Sequence, residues 1–241
     1  MDERDTRPPA YESTAEAELV DARDSDWQRI EIRRHPVYGH QLVIDGDLQI
    51  SESDFAYGSA LVAPVLTLAS CRRVAILGGG DGGVLSELLV ACDRLSRPLE
   101  TVTLIDIDGA VIELCREWMP RLCHAAFDDP RAEVMVGDAF AWLANASALD
   151  AVIYDLTLDP VREGVSRNAF IREILDQVER ALRPGGVVTM QACGEWVADR
   201  EQLLAELRTR FDESFVAREE QLVTVPSYGE KWTFITARKP D

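Results

Sequence analysis

The 241-residue sequence carries 43 acidic against 25 basic residues, a formal charge of −18, with 46% hydrophobic content. That apolar fraction suffices for one large domain or a domain with a small appendage, and the negative charge argues against DNA, RNA or another polyanion as partner while favouring a cationic ligand. Apolar runs are strand-sized rather than membrane-spanning, and the five scattered cysteines lack CxxC spacing, so neither a disulfide framework nor a zinc site is expected. The acidic start, MDERDTRPPAYESTAEAE, has neither the basic nor the apolar part of a signal peptide, so the expected location is cytoplasmic. His35, His40 and His124 are not paired at ligand spacing, and no metal is expected.

Residues 1–25 are polar and rich in Pro, Asp and Glu, and the first dozen are expected to be mobile. Trp27 to Arg33 alternates apolar and polar residues, and Gln41 to Ile50 reads as two short strands around Asp45-Gly46, a strong hairpin signal. Residues 1–50 are therefore expected to form a mobile segment and a small β appendage, with residues 51–241 a Rossmann-like catalytic domain. From Ser51, SESDFAYGSALVAPVLTLAS reads as a helix capped by Ser51 or Ser53, with Phe55, Leu61, Val62, Val65 and Leu66 on its apolar face. Arg73 to Glu87 (RVAILGGGDGGVLSE) is a buried strand, a glycine-rich turn and the start of a helix. Such a turn lets the backbone approach a ligand and aims unpaired N–H groups at it.

Strands and helices then alternate: strands at 101–106, 132–136, 150–155 and 187–192, helices at 109–119, 168–182 and 199–210, and two closing strands at 219–225 and 231–237. Pro184-Gly185-Gly186 is the expected stop of the 168–182 helix. Repeated βα units imply an α/β fold with a mostly parallel sheet, helices on both faces and ligands beyond the carboxyl ends of the strands. Gly78, Gly80 and Gly83 fit the dinucleotide pattern, with Asp106 closing the next strand at roughly the ~20-residue distance of a ribose-binding acid. Successive strands deliver Asp81, Asp106, Asp138 and Asp155 to one rim, a charge cluster that repels itself unless donors or cations sit among it.

GGGDGG, followed by LIDID, GDAF and VIYDLT, resembles the polyamine aminopropyltransferases, the spermidine and spermine synthase family, over most of the chain from Trp27 to Arg238. GDLQISESDFAY, YDLT and VPSYGEKWTF are closer to the corresponding segments of spermine synthases. Asp159-Pro160-Val161 is like spermidine synthases, Gly58 stands where those place a histidine, and the long N-terminal domain of animal spermine synthases has no counterpart. The resemblance implies a class I methyltransferase-type fold. It also implies a co-substrate, decarboxylated S-adenosylmethionine, with no prosthetic group, and a cationic polyamine as acceptor. Neither nucleic acid nor membrane is an expected partner, and a homodimer is among the assemblies left open.

By the same resemblance Asp155 and Asp81 are the catalytic pair, Asp155 as base and Asp81 as holder of the donor amine. Gln28, Gly78, Gly80, Asp81, Asp106, Asp138 and Ala139 would bind the donor, and Tyr57, Asp81, Asp155, Tyr228 and Glu230 the acceptor. The expected acceptor is spermidine, giving spermine or an isomer. The alternatives are a spermidine synthase using putrescine, or a methyltransferase using intact S-adenosylmethionine. A dehydrogenase leaves Asp138 and Asp155 without a task, and a non-enzymatic binding module would release no methylthioadenosine.

Overall fold

The computed structural model describes residues 14, 16–157 and 164–241, and among these the chain forms two sheets. The first dozen residues, expected to be mobile, and Asp159-Pro160-Val161 lie outside the described residues. Strands β1 (Glu18–Asp24), β2 (Arg29–His35), β3 (Gly39–Ile44) and β4 (Asp47–Ser51) form an antiparallel meander. Asp45 and Gly46 both have positive φ, 50° and 90°, the twist that joins two adjacent strands in a tight hairpin. β1 is not anticipated by the sequence reading. Its ELVDARD lacks a clean apolar alternation and is held as an edge strand by pairing with β2.

The second sheet contains β5 (Arg73–Gly78), β6 (Thr101–Asp106), β7 (Ala132–Val136), β8 (Leu149–Asp155), β9 (Leu182–Gly194), β10 (Val216–Val225) and β11 (Glu230–Arg238). Its order is β10-β11-β9-β8-β5-β6-β7, parallel from β9 to β7, with β11 and β10 added antiparallel. β5 and β8, in the middle, are almost wholly buried because apolar side chains point to both faces. Helices α1 (Phe55–Val62), α2 (Gly83–Arg94), α3 (Gly109–Trp118), α4 (Pro120–Cys123), α5 (Ala139–Leu143), α6 (Arg167–Ala181) and α7 (Arg200–Ser214) cover it. Leu85 and Leu88 of α2 pack with Val74 and Ile76 against one face, while Ile174 and Leu207 pack with Val152 and Met190 against the other. No helix among the described residues is long and apolar enough to cross a membrane.

Two helix boundaries differ from expectation. The helix after Ser51 runs only from Phe55 to Val62, and Pro64 then leads into a single 3-10 turn, Val65–Thr67. No serine caps it: Asp54 precedes it, and its carboxylate instead accepts hydrogen bonds from Ser51 and Ser227. Phe55, expected on the apolar face, is 51% exposed. At the other boundary, α6 ends at Ala181 and β9 starts at once, running through Pro184-Gly185-Gly186 with an irregular register against β8. Gly185, at φ 67°, makes that irregular passage accessible to the backbone.

The meander docks on α3, burying Ile30, Ile32, Leu42 and Ile50 against Val111, Leu114, Cys115 and Met119. This sets the turn between β1 and β2 over the carboxyl end of β6.

At the opposite end of β8, buried Asp150 ties three strands together. It accepts the N–H groups of Arg72 and Arg73 at 2.8 and 2.9 Å and the Arg183 Nε–H at 2.5 Å. Burial opposes its charge, but Arg183 and the two backbone donors outweigh burial and hold the carboxyl below its usual range. Asp150→Asn is expected to destabilise the fold by about 1–3 kcal/mol at neutral pH in chemical denaturation. Because the native carboxyl is the stronger acid, the wild-type advantage is present above the unfolded value and fades as pH falls through the folded one.

Candidate active site

The glycine turn after β5 is shaped by how closely it passes two aspartates. Gly78, Gly79 and Gly82 adopt φ of 80°, 71° and 79°, a region that disfavours side chains. A Cβ on Gly78 would collide with the Asp155 carbonyl oxygen, and one on Gly80 would lie 2.7 Å from Asp106 Oδ2. The turn therefore sits directly against the ends of β8 and β6, its neighbours in the sheet.

Backbone donors hold the carboxylates there. Gly80 N–H donates to Asp106 Oδ2 and Asp108 N–H to Asp106 Oδ1, each at 2.9 Å. Gly83 N–H donates to Asp81 Oδ1 at 2.7 Å. Asp155 Oδ1 accepts the Tyr57 hydroxyl at 2.6 Å, so α1 supplies the phenol that orients the carboxylate at the end of β8. Tyr57 is itself edge-on to Phe234, with ring centroids 5.2 Å apart, and to Tyr228 at 6.4 Å.

The electrostatics follow from crowding without a cation. Burial, followed by the charge on Asp81, pushes Asp155 up to about 7, although the Tyr57 hydrogen bond pulls in the other direction. Burial also raises Asp81, to about 6, with Asp106 adding to the effect and the Gly83 N–H opposing it. Asp106 is raised by burial against the two N–H groups that it accepts. Three desolvated acids on one rim form a site that gains when positive charge enters it.

The remaining expected residues divide. Asp138 and Ala139 reach the same rim, where the Gly137 N–H donates to the Asp106 carbonyl at 2.8 Å. Asp138 is exposed and caps α5 by accepting the Phe140 and Ala141 N–H groups, and Ala139 is buried. Gln28 stands over the end of β6, its Nε2 donating to Asp108 Oδ2 at 3.0 Å beside the Ser25 hydroxyl at 2.6 Å. Tyr228 lies in a 3-10 turn after β10, and its hydroxyl donates to the Gln49 carbonyl. Glu230, at the start of β11, is buried and accepts the Trp196 N–H at 3.1 Å while lying against Gly194. It does not line the cleft that opens between α1 and α2 beside Asp81 and Tyr57.

Two positioning residues escape the sequence reading. Asp108 is 2% exposed, caps α3 through Ala110, and joins the β1–β2 turn to the site. Its signal was the second aspartate of LIDID, followed by glycine at a helix start. Asp54 is 1% exposed and accepts the Ser227 N–H at 3.0 Å and the Ser227 hydroxyl, linking the segment before Tyr57 to the one before Tyr228. Nothing local announces that contact.

A parallel α/β sheet with a glycine turn between acidic strand ends defines a class whose ligands lie beyond the carboxyl ends of the strands. The family model for the spermine/spermidine synthase domain matches residues 54–241. A polyamine aminopropyltransferase of Aeropyrum pernix is 37% identical over 88% of this chain and 67% of its own length. A spermine synthase of Saccharomyces cerevisiae is 35% identical over 91% of this chain and 72% of its own. The crystal structure of spermidine synthase from Thermotoga maritima superposes with a TM-score of 0.77 and 26% identity, over 92% of this chain and 72% of that one. A spermidine synthase in complex with the transition-state analogue AdoDATO gives a TM-score of 0.78 at 26% identity, over 92% and 74% of the two chains. The chain belongs to the spermine/spermidine synthase family, the polyamine aminopropyltransferases.

Raised carboxyls reverse the usual acid sensitivity. A folded pKa above the unfolded one contributes stability below the unfolded value and loses it as pH rises through the folded value. Asp155→Asn is therefore expected to raise the melting temperature at pH 8, with the gain shrinking towards pH 5, in thermal denaturation of the unliganded protein.

Proposed function

We propose that the protein transfers an aminopropyl group from decarboxylated S-adenosylmethionine to an amine of spermidine, giving spermine or an isomer and methylthioadenosine. The observation that carries this reading is the half-buried Asp155 carboxyl, oriented by Tyr57 and facing the field of Asp81. The donor of this class is a sulfonium, and the electron pair of the attacking nitrogen forms a bond to the propyl carbon beside the sulfur. The carbon–sulfur bond breaks, its electrons neutralise the sulfonium, and the nitrogen sheds a proton. Asp155 takes that proton in this reading. A carboxyl raised to about 7 suits the task, because a base near the working pH combines an accessible ionised form with useful basicity.

Asp81 is assigned the ammonium of the donor, Asp106 the ribose hydroxyls, Asp138 and Ala139 the adenine, and Gln28 the nucleoside edge. Gly78 and Gly80 let the donor lie close to the backbone. Tyr57 and Tyr228 would flank the acceptor. Spermidine is preferred over putrescine on the likeness of GDLQISESDFAY and VPSYGEKWTF to spermine synthases. In this reading Glu230 keeps the role of contacting a distant ammonium, for which its carboxylate must be shared with the Trp196 N–H. A soluble homodimer in the cytoplasm is the proposed setting.

Asp155→Asn is expected to leave methylthioadenosine binding nearly intact and to lower kcat by about 10²-fold or more. Undiminished turnover by the folded variant would remove Asp155 from the chemistry. Donor choice gives a separate check. Asp81 attracts an ammonium and repels a carboxylate, so calorimetry should show decarboxylated S-adenosylmethionine binding more tightly than S-adenosylmethionine, and Asp81→Asn should narrow the gap. Equal affinities in the wild type would favour the methyltransferase.

A further inference from the structure

The chain directly after Asp155 is held by side chains that have no part in the proposed chemistry. Tyr154 donates its hydroxyl to the Thr157 carbonyl at 2.8 Å. Gln191, in β9, donates an Nε2–H to the Leu156 carbonyl at 2.7 Å and accepts the Trp232 Nε1–H on Oε1 at 2.9 Å. These two partners fix which way round the amide stands, because an indole N–H only donates and a carbonyl only accepts.

An irregularity in β9 lies next to Gln191. Phe234 of β11 pairs with Gln191, but the neighbouring pair is Thr233 with Cys193, so Ala192 is an extra residue in β9. Ala192 and Cys193 are consecutive yet pack into the same core, which the alternation of a regular strand does not allow. A bulge of this kind bends its strand and re-aims a side chain, and here the amide reaches the end of β8.

The other end of the amide leads back to Asp155. Trp232 stands edge-on to Tyr228, with ring centroids 5.1 Å apart, and Tyr228 stands edge-on to Tyr57 at 6.4 Å. Tyr57 donates to the Asp155 carboxylate at 2.6 Å. The contacts close a circuit around that hydrogen bond. Through the Leu156 carbonyl the amide holds the backbone that carries the acceptor, and through two rings it holds the phenol that donates. A hydrogen bond weakens steeply as it departs from linearity, so slack at either end weakens this one.

We propose that Gln191 is a positioning residue for Asp155, acting through the Leu156 carbonyl and the Trp232 ring to keep the Tyr57 hydroxyl aligned on the carboxylate. The consequence for catalysis rests on the reading of Asp155 as the base, whereas the brace itself does not. Burial and the charges of Asp81, on the glycine turn, and Asp106, at the end of β6, raise the Asp155 carboxyl, while the Tyr57 hydrogen bond from α1 lowers it. Tyr228 is the other titratable group in its field. Losing the alignment therefore moves the carboxyl up, and merely opening the site to water moves it down.

The test is a carbon NMR titration of the Asp155 carboxyl in the unliganded protein labelled at aspartate Cγ, the signal being identified by its absence in Asp155→Asn. The wild-type group titrates at about 7. Tyr57→Phe, which removes the hydrogen bond, should titrate higher by roughly one pH unit. Gln191→Leu should move in the same direction by a smaller step. Tyr57→Phe combined with Gln191→Leu should titrate no higher than Tyr57→Phe alone, because no bond is left to misalign. In the transferase reading Gln191→Leu also lowers kcat by roughly 10-fold with the KM for the donor unchanged. An unchanged or lowered titration in folded Gln191→Leu overturns the assignment, as does a fully additive shift in the double variant. Circular dichroism and melting temperature identify a variant that has lost its fold. Trp232→Phe, which removes the indole N–H at the far end of the brace, then decides: an upward shift is expected, and no shift or a downward one overturns the proposal. A protein whose carboxyl responds in this way but which releases no methylthioadenosine from the sulfonium donor keeps the brace and loses the transferase reading.

Discussion

The structure depends on the near-contact of the glycine turn with the aspartates that end the neighbouring strands. Gly78 leaves no room for a Cβ beside the Asp155 carbonyl, and Gly80 leaves almost none beside the Asp106 carboxylate. This packing takes Asp81, Asp106 and Asp155 partly out of water, and desolvation is the largest influence on each. Backbone N–H groups repay part of that cost at Asp81 and Asp106, and the Tyr57 hydroxyl does so at Asp155, which is why all three can be held on one rim. In the proposed function the residual cost is offset when positive charge, a sulfonium and ammonium groups, enters the rim.

The parts remote from this contact serve to complete its walls. The meander presses Ile30 and Ile32 into α3, and its β1–β2 turn reaches Asp108 through Ser25 and Gln28. Asp54 joins the start of α1 to Ser227, fixing the segment that carries Tyr57 relative to the one that carries Tyr228. Both anchoring carboxylates are buried and fully engaged by donors, so they position groups without competing for ligand.

Legibility in the sequence followed the range of the interactions. The glycine turn and the aspartates at strand ends are visible because apolar runs of strand length end directly in them, and that pattern also yields the parallel sheet. β1 was not visible, because ELVDARD is stabilised by its neighbour rather than by its own alternation. The helix after Ser51 is shorter than its sequence suggests, since its apolar residues continue past Pro64 into the 3-10 turn. Contacts such as Asp54 with Ser227, Gln28 with Asp108 and Glu230 with Trp196 join residues far apart in the chain, and no local motif encodes them.

The central claim, that this rim moves an aminopropyl group onto a polyamine, is tested most directly by product analysis. The purified protein is incubated with decarboxylated S-adenosylmethionine and a panel of diamines and triamines, and the products are identified by mass spectrometry. The account predicts methylthioadenosine together with spermidine extended by one aminopropyl unit. A methylated product formed from intact S-adenosylmethionine, or no methylthioadenosine with any amine, would contradict it.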